Sequence, residues 1–172
     1  MAEYTSRSFD LLTLGQLLLR LSPPDNDRLS RGDTFVKQVG GAELNVAVGA
    51  SLLGLRTGVI SKLPSHDIGS FMKGKIRSFG VSDDFFMYDD SPSARVGIYY
   101  YENGAYPRKP KVIYDRMNSS FFSLNIDEIP KEVYTASKCF HTTGITLALS
   151  PQIRETTIEM IKRFKEPWFP LT

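Results

Sequence analysis

Residues 40–45, Gly-Gly-Ala-Glu-Leu-Asn, join a short β-prone segment directly to a helix-forming one. The β-prone run at 35–39 stops at the two glycines, and residues 42–53 are rich in Ala, Leu and Val before Gly54. Because glycine has no Cβ, the backbone N–H groups of such a turn can approach a ligand closely. The helix start adds unpaired donors and a partial positive charge. The turn therefore predicts either a ligand site or a tight connection that only lets the helix pack.

The side chain one turn into this predicted helix, Asn45, indicates what kind of ligand the turn would hold. An amide both donates and accepts hydrogen bonds, and sugar hydroxyls need both kinds of partner. The glycines do not follow the pattern of a phosphate-binding loop or of a dinucleotide-binding turn. We therefore assign Gly40 and Gly41 to a substrate and not to a nucleotide.

Strands alternate with helices along most of the chain, which is typical of an α/β fold with a parallel sheet. Two segments, 16–39 and 92–116, break the alternation because they are strand-rich and carry no helix signal. We interpret them as a separate, small β layer. The predicted strands of the main sheet include 9–14, 57–63 and 139–141, and the predicted helices are 42–53, 68–79 and 151–165.

The same patterns predict where individual side chains lie. The helix at 42–53 is apolar on most sides and is expected to be largely buried. Asp67 is expected to cap the second helix, and Cys139 is expected to be a small core residue. Of the two histidines, His66 is expected in solvent and His141, at the end of a buried strand, is expected to be structural.

Composition and charge narrow the class of protein. The chain has 172 residues, 41% of them hydrophobic, and a formal net charge of +2. This balance is that of a soluble globular protein and predicts neither a nucleic acid nor a membrane as partner. We see no signal peptide and no apolar run long enough to span a bilayer. A single cysteine predicts a reducing, cytoplasmic location, and its distance in sequence from the two histidines gives no zinc-ligand spacing.

Taken together, several segments resemble the ribokinase-like (PfkB) carbohydrate kinases. The resemblance implies a doubly wound parallel sheet with a small β-sheet lid, formed here by 16–39 and 92–116, so that residues 1–172 would be the N-terminal part of such a domain. Three of the later segments resemble 2-keto-3-deoxygluconate kinases in particular. The first set of matching segments is 40–47, 53–63, 67–69 and 80–81, and the later set is 97–102, 111–116 and 141–146.

The resemblance also implies a substrate site. The two glycines and the Asn of the turn would contact the hydroxyls of a sugar acid, two lid tyrosines would reach in from above, and an Arg would meet the carboxylate or keto group. A guanidinium suits that role because its planar fork matches a carboxylate. The residues concerned are Gly40, Gly41, Asn45, Tyr99, Tyr114 and Arg116.

Simpler roles stay open for two of these residues. Tyr99 lies in a run of three tyrosines, some of which must pack on the lid faces, and Arg116 could form an exposed ion pair with the adjacent Asp115. Gln16 stands where many relatives have Glu, and we give it no role.

The resemblance implies a sugar kinase that transfers the γ-phosphoryl of ATP, with Mg²⁺, to 2-keto-3-deoxygluconate and forms the 6-phosphate. The family's base is an Asp in an Asp-Thr-x-Gly-Ala-Gly-Asp motif, and this motif does not occur in the sequence. We therefore assign no catalytic residue and no metal ligand. ATP and Mg²⁺ are expected with the full-length kinase and not with this chain alone, which we expect to be a truncated and inactive N-terminal portion.

Two other interpretations remain. The first is that the chain is a genuine short protein and not the product of a truncation or a frameshift. Residues 167–172 contain two prolines where the next strand is expected, and because such a segment cannot form a central strand, it favours truncation or a frameshift. A short protein would be a non-catalytic sugar-binding or oligomerisation module derived from a kinase, and the resemblance allows a homodimer through the lid strands. An unrelated nucleotide-binding α/β domain is the third reading, and tight ATP binding would favour it.

Overall fold

The computed structural model describes residues 8–165, which form two β-sheets and the helices packed on them. The strands within this range are β1 (Phe9–Leu14), β2 (Leu18–Ser22), β3 (Val36–Gly40), β4 (Thr57–Pro64), β5 (Val81–Ser82), β6 (Phe86–Asp89), β7 (Gly97–Glu102), β8 (Lys111–Asp115) and β9 (Ser137–His141). The α-helices are α1 (Ala42–Leu52), α2 (Asp67–Ser78), α3 (Val133–Ala136), α4 (Gly144–Leu147) and α5 (Pro151–Lys165). Short 3-10 turns lie at Pro24–Asn26, Ser120–Ser123 and Ile126–Glu128.

The larger sheet is parallel throughout, with the order β5-β4-β1-β9 and with β6 also paired to β4. All eight residues of β4 are buried, and so are five of the six residues of β1. Strands that are buried along nearly their whole length need cover on both faces of the sheet. The strands predicted at 9–14 and 57–63 are confirmed.

Two apolar clusters provide that cover, one on each face of the sheet. On one face α1 and α2 pack on the sheet through Leu44, Met72 and Ile76, and on the other α5 packs through Ile153 and Met160. The sheet is therefore doubly wound, and the predicted α/β class is confirmed.

The smaller sheet, which we call the lid sheet, has the order β3-β2-β7-β8. Its outer pairs are antiparallel and its central pair, β2 with β7, is parallel. Its strands come from the two segments that break the βα alternation, except that β3 extends to Gly40. Only Gly15, Gln16 and Leu17 separate β1 from β2, so the lid sheet rises directly from the carboxyl end of the main sheet.

Two burial predictions are wrong. The helix at 42–53 is not largely buried: Leu44 and Ala47 face β1 and β4, whereas Leu52 is 79% and Leu53 is 85% exposed. The helix packs with one face only, and no element in 8–165 covers the other. Cys139 is exposed, because β9 pairs only with β1 within the described range and so forms an edge of the sheet.

Helix ends follow the sequence signals with one correction. Ser150 Oγ accepts a hydrogen bond from the N–H of Ile153 at 3.2 Å, as expected for a cap of α5. For α2 the cap is His66, whose Nδ1 accepts from the N–H of Ile68 at 3.2 Å, and not Asp67, which is the first helical residue. His66 is exposed, as predicted. The prediction for the tail at 167–172 falls outside the described residues.

No helix within residues 8–165 is both long enough and apolar enough to cross a membrane.

Candidate functional site

A cleft of about 340 Å³ lies between the lid sheet and the start of α1. We call it the lid cleft. It sits where β1 and β9 end, and in open α/β sheets ligands bind at the carboxyl ends of the strands. Five of the six predicted site residues line it: Gly41, Asn45, Tyr99, Tyr114 and Arg116. The other lining residues are Gln16, Leu18, Arg20, Ala42, Glu43, Tyr101, Val112 and Ile145.

The two glycines of the turn have different neighbours. Gly41 caps α1 at the cleft wall, and a Cβ there would stand 2.8 Å from the carbonyl oxygen of Gln16. Gly40 is buried and is not among the lining residues. A Cβ on Gly40 would come within 2.5 Å of the Tyr99 hydroxyl oxygen. Glycine at 41 lets the turn approach the β1–β2 connection, whereas glycine at 40 makes room for the Tyr99 side chain.

Tyr99 and Tyr114 are cross-strand partners in the antiparallel pair β7–β8, so their side chains leave the same face of the lid sheet. Their ring centroids are 6.0 Å apart. Tyr99 is half-buried, and burial raises the pKa of its hydroxyl. Tyr114 is 59% exposed and forms the rim. The lid sheet therefore presents two aromatic hydroxyl groups to one cleft.

Arg116 follows β8 and reaches into the cleft. Its Nε donates to Gln16 Oε1 at 2.8 Å, and its guanidinium carbon lies 5.6 Å from the centroid of the Tyr114 ring. Burial lowers the pKa of this guanidinium, since desolvation disfavours the charged form. Asp115 does not pair with it. That carboxylate pairs with Arg95 at 2.8 Å, and within the described part of the chain Arg116 has no carboxylate at ion-pair distance.

A second guanidinium, that of Arg20, lines the cleft and was not predicted. It lies 4.4 Å from the centroid of the Tyr101 ring, and its Nε donates to Ser22 Oγ at 2.9 Å. Strand alternation could have predicted this position. Leu19 and Leu21 face the core, and alternation places Arg20, which lies between them, on the opposite face.

The carboxylate of Glu43 was also missed. Glu43 is 2% exposed, and its Oε1 accepts hydrogen bonds from the N–H and hydroxyl of Thr143 and from the hydroxyl of Thr146 at 2.5–3.2 Å. Gly15 leaves room for the other oxygen, because a Cβ there would lie 2.2 Å from Oε2. Glu43 therefore fastens the start of α1 to the turn after β9. Only the tertiary structure brings these residues together, since they are about 100 positions apart.

A doubly wound parallel sheet with a small mixed lid sheet beside the carboxyl ends of its strands defines the ribokinase-like class of α/β proteins. Residues 8–166 match the family model described as pfkB family carbohydrate kinase, and the chain belongs to that family.

Individual relatives agree with this assignment. The chain is 38% identical over 157 residues to a 2-dehydro-3-deoxygalactonokinase of Haloferax volcanii, covering 91% of this chain and 48% of that protein. It is 28% identical over 160 residues to a 5-dehydro-2-deoxygluconokinase of Listeria innocua, with 92% and 48% covered. The crystal structure of 2-dehydro-3-deoxygluconokinase from Thermotoga maritima superposes with a TM-score of 0.84 at 34% identity, with 90% and 47% covered.

The chain thus spans about half the length of the curated relatives that it matches.

Proposed function

We propose that this chain provides the substrate-binding part of a kinase that phosphorylates a 2-keto-3-deoxy sugar acid, with 2-keto-3-deoxygluconate as the expected substrate and its 6-phosphate as the product. The observation that carries the proposal is the guanidinium of Arg116, which is partly desolvated in the lid cleft and has no carboxylate partner within 8–165. The names of the 38% and 34% identical relatives, both 2-dehydro-3-deoxy sugar kinases, support it.

The other groups of the cleft suit the rest of such a substrate. Asn45 offers a donor and an acceptor, and the hydroxyls of Tyr99 and Tyr114 can do either. An apolar or strongly cationic ligand would leave these groups unpaired, which is unfavourable in a partly desolvated site. A carboxylate on Arg116 and hydroxyls on the remaining groups satisfy the whole set.

Kinases of this family use ATP and a divalent metal ion. Phosphoryl transfer needs a base for the attacking hydroxyl, and groups that hold the metal and stabilise the phosphates. Within residues 8–165 no three His, Cys, Asp or Glu side chains gather as a metal site. The buried carboxylate of the cleft, Glu43, is already bound by Thr143 and Thr146. The role that we propose for the described residues is therefore binding and orientation of the sugar acid.

The direct test is calorimetric titration of the chain with 2-keto-3-deoxygluconate and with 2-deoxyribose, a matched neutral ligand that keeps the deoxy carbon and the hydroxyls but lacks the carboxylate. We expect the acid to bind and the neutral sugar to bind far more weakly. With ATP and Mg²⁺ added, we expect no ADP to form. Equal or better binding of the neutral sugar would contradict the sugar-acid assignment, and phosphorylation of the acid would contradict the division of roles.

Replacing Gly40 by alanine is expected to weaken sugar-acid binding by about tenfold, because the new Cβ would displace the Tyr99 hydroxyl from its place in the cleft. Gly49→Ala is the control, since that position on α1 has open space around it. Titration of both variants checks the prediction. Equal affinities would show that the position of Tyr99 does not matter for binding.

A second candidate function is a non-catalytic assembly module that forms a homodimer through the lid. All five residues of β8, an outer strand of the lid sheet, are exposed, and Val112 and Ile113 are 42% and 44% exposed. Outer strands with apolar side chains invite pairing between chains. Light scattering tests this alternative, which predicts a dimer that dissociates in an Ile113→Lys variant. A strict monomer would count against it.

A further inference from the structure

The connection between β1 and β2 carries a buried amide, Gln16, at the edge of the lid cleft. Gln16 is 3% exposed, and both ends of its amide are hydrogen-bonded. Its Nε2 donates to the Arg116 carbonyl oxygen at 3.1 Å and to Ser119 Oγ at 2.7 Å. Its Oε1 accepts from Arg116 Nε at 2.8 Å. One side chain therefore holds both the backbone and the guanidinium of Arg116.

The surrounding chain is shaped to accommodate this amide. A Cβ on Gly97 would stand 2.9 Å from Gln16 Nε2 and 3.3 Å from the Cα of Arg116. On the other side, a Cβ on Gly41 would stand 2.8 Å from the Gln16 carbonyl oxygen. Only glycine leaves enough room at these two positions, so the contact between Gln16 and Arg116 is enclosed by the lid sheet and by the turn before α1.

We propose that Gln16 is a positioning residue that orients the Arg116 guanidinium for an anionic substrate group without itself adding a negative charge. An amide oxygen accepts the Nε–H without adding negative charge. A carboxylate in the same place would form an ion pair with Arg116 and would compete with the substrate for its charge. Both Nη groups stay available, because no hydrogen bond from either is present within residues 8–165.

This inference rests on the proposed sugar-acid function for its ligand, but part of its test needs no ligand. In ¹⁵N-resolved NMR spectra of the chain, Arg116 Nε–H is expected to give a sharp, exchange-protected signal, assigned by its loss in Arg116→Lys. Gln16→Leu removes the acceptor at similar volume, so the signal is expected to broaden or disappear. Ser119→Ala, which removes only one partner of Gln16, is the control and is expected to keep it. An unchanged signal in Gln16→Leu overturns the positioning role.

The charge part of the proposal is tested with Gln16→Glu, which changes the size of the side chain very little. Its affinity for 2-keto-3-deoxygluconate is expected to fall by about tenfold, while its affinity for 2-deoxyribose stays the same. A purely structural role would lower both affinities together. Circular dichroism checks that Gln16→Glu is folded. If the folded variant keeps the same ratio of acid affinity to neutral-sugar affinity, the charge argument is overturned.

The two proposals fail in different ways. If the unmodified chain shows no preference for the acid, the proposed function fails. The Nε–H signals of the unmodified chain and of Gln16→Leu then still decide whether Gln16 positions Arg116.

Discussion

The Arg116→Ala variant is expected to bind 2-keto-3-deoxygluconate roughly 30- to 150-fold more weakly than the unmodified chain. That loss corresponds to about 2 to 3 kcal/mol, the range for removing a hydrogen-bonding charged partner from a partly buried site. The Arg116 guanidinium is oriented by Gln16 and lies beside the Tyr114 ring, whereas the other guanidinium of the cleft, that of Arg20, donates to Ser22 and lies over the Tyr101 ring. Calorimetric titration measures the change directly.

Two further variants separate charge and shape from general damage to the lid. Arg116→Lys keeps the charge but loses the planar fork, so an intermediate affinity is expected. Arg95→Ala is the matched control, because Arg95 lies close to the same chain segment but is bound to Asp115 and to the Met117 carbonyl oxygen. Equal losses in Arg95→Ala and Arg116→Ala would mean that the lid sheet, and not a carboxylate contact, was disturbed.

The Gly69→Ala variant is expected to lower the free energy of unfolding by about 1 to 3 kcal/mol, the usual effect of forcing an extra carbon into a packed site. Gly69 lies in the first turn of α2, where its added Cβ would stand 1.9 Å from the Pro64 carbonyl oxygen at the end of β4. Backbone atoms cannot move aside as a flexible side chain can. The junction between β4 and α2 would have to shift.

Gly74→Ala, in the same helix, is the control and is expected to have the opposite sign. Nothing lies within 4 Å of the place its Cβ would occupy, and alanine is a better helix former than glycine by about 1 kcal/mol. Urea unfolding of the two variants side by side measures both changes in the free energy of unfolding. If both were stabilised, the close approach of α2 to Pro64 would not be a real constraint.

Much of the fold could be predicted because local signals and tertiary packing agree. The apolar run at 9–14 is β1, and glycines follow α1 and α2 at positions 54 and 80 with φ of +87° and +74°. The short strand β5 and the small helices α3 and α4 were not predicted, since two to four residues carry too little periodicity to read.

The burial of α1 shows where the sequence misleads. Its composition is apolar nearly all round, which predicts a helix covered on every side. A single sheet face covers only Leu44, Ala47 and their neighbours, and Leu52 and Leu53 stay exposed. Periodicity records which residues are apolar, but it does not record how many layers are present to cover them.

By itself, the sequence determined the α/β class, the small second sheet and five of the thirteen residues that line the cleft, because each of these depends on a periodicity, a turn or a motif that is local in the chain. Only the tertiary structure decided that Gln16 holds Arg116 and that Glu43 holds Thr143, each pair being 100 positions apart. It also decided that Gly40 makes room for Tyr99. Such contacts form where strand ends and a lid converge in space, and no local pattern encodes which distant side chain arrives there.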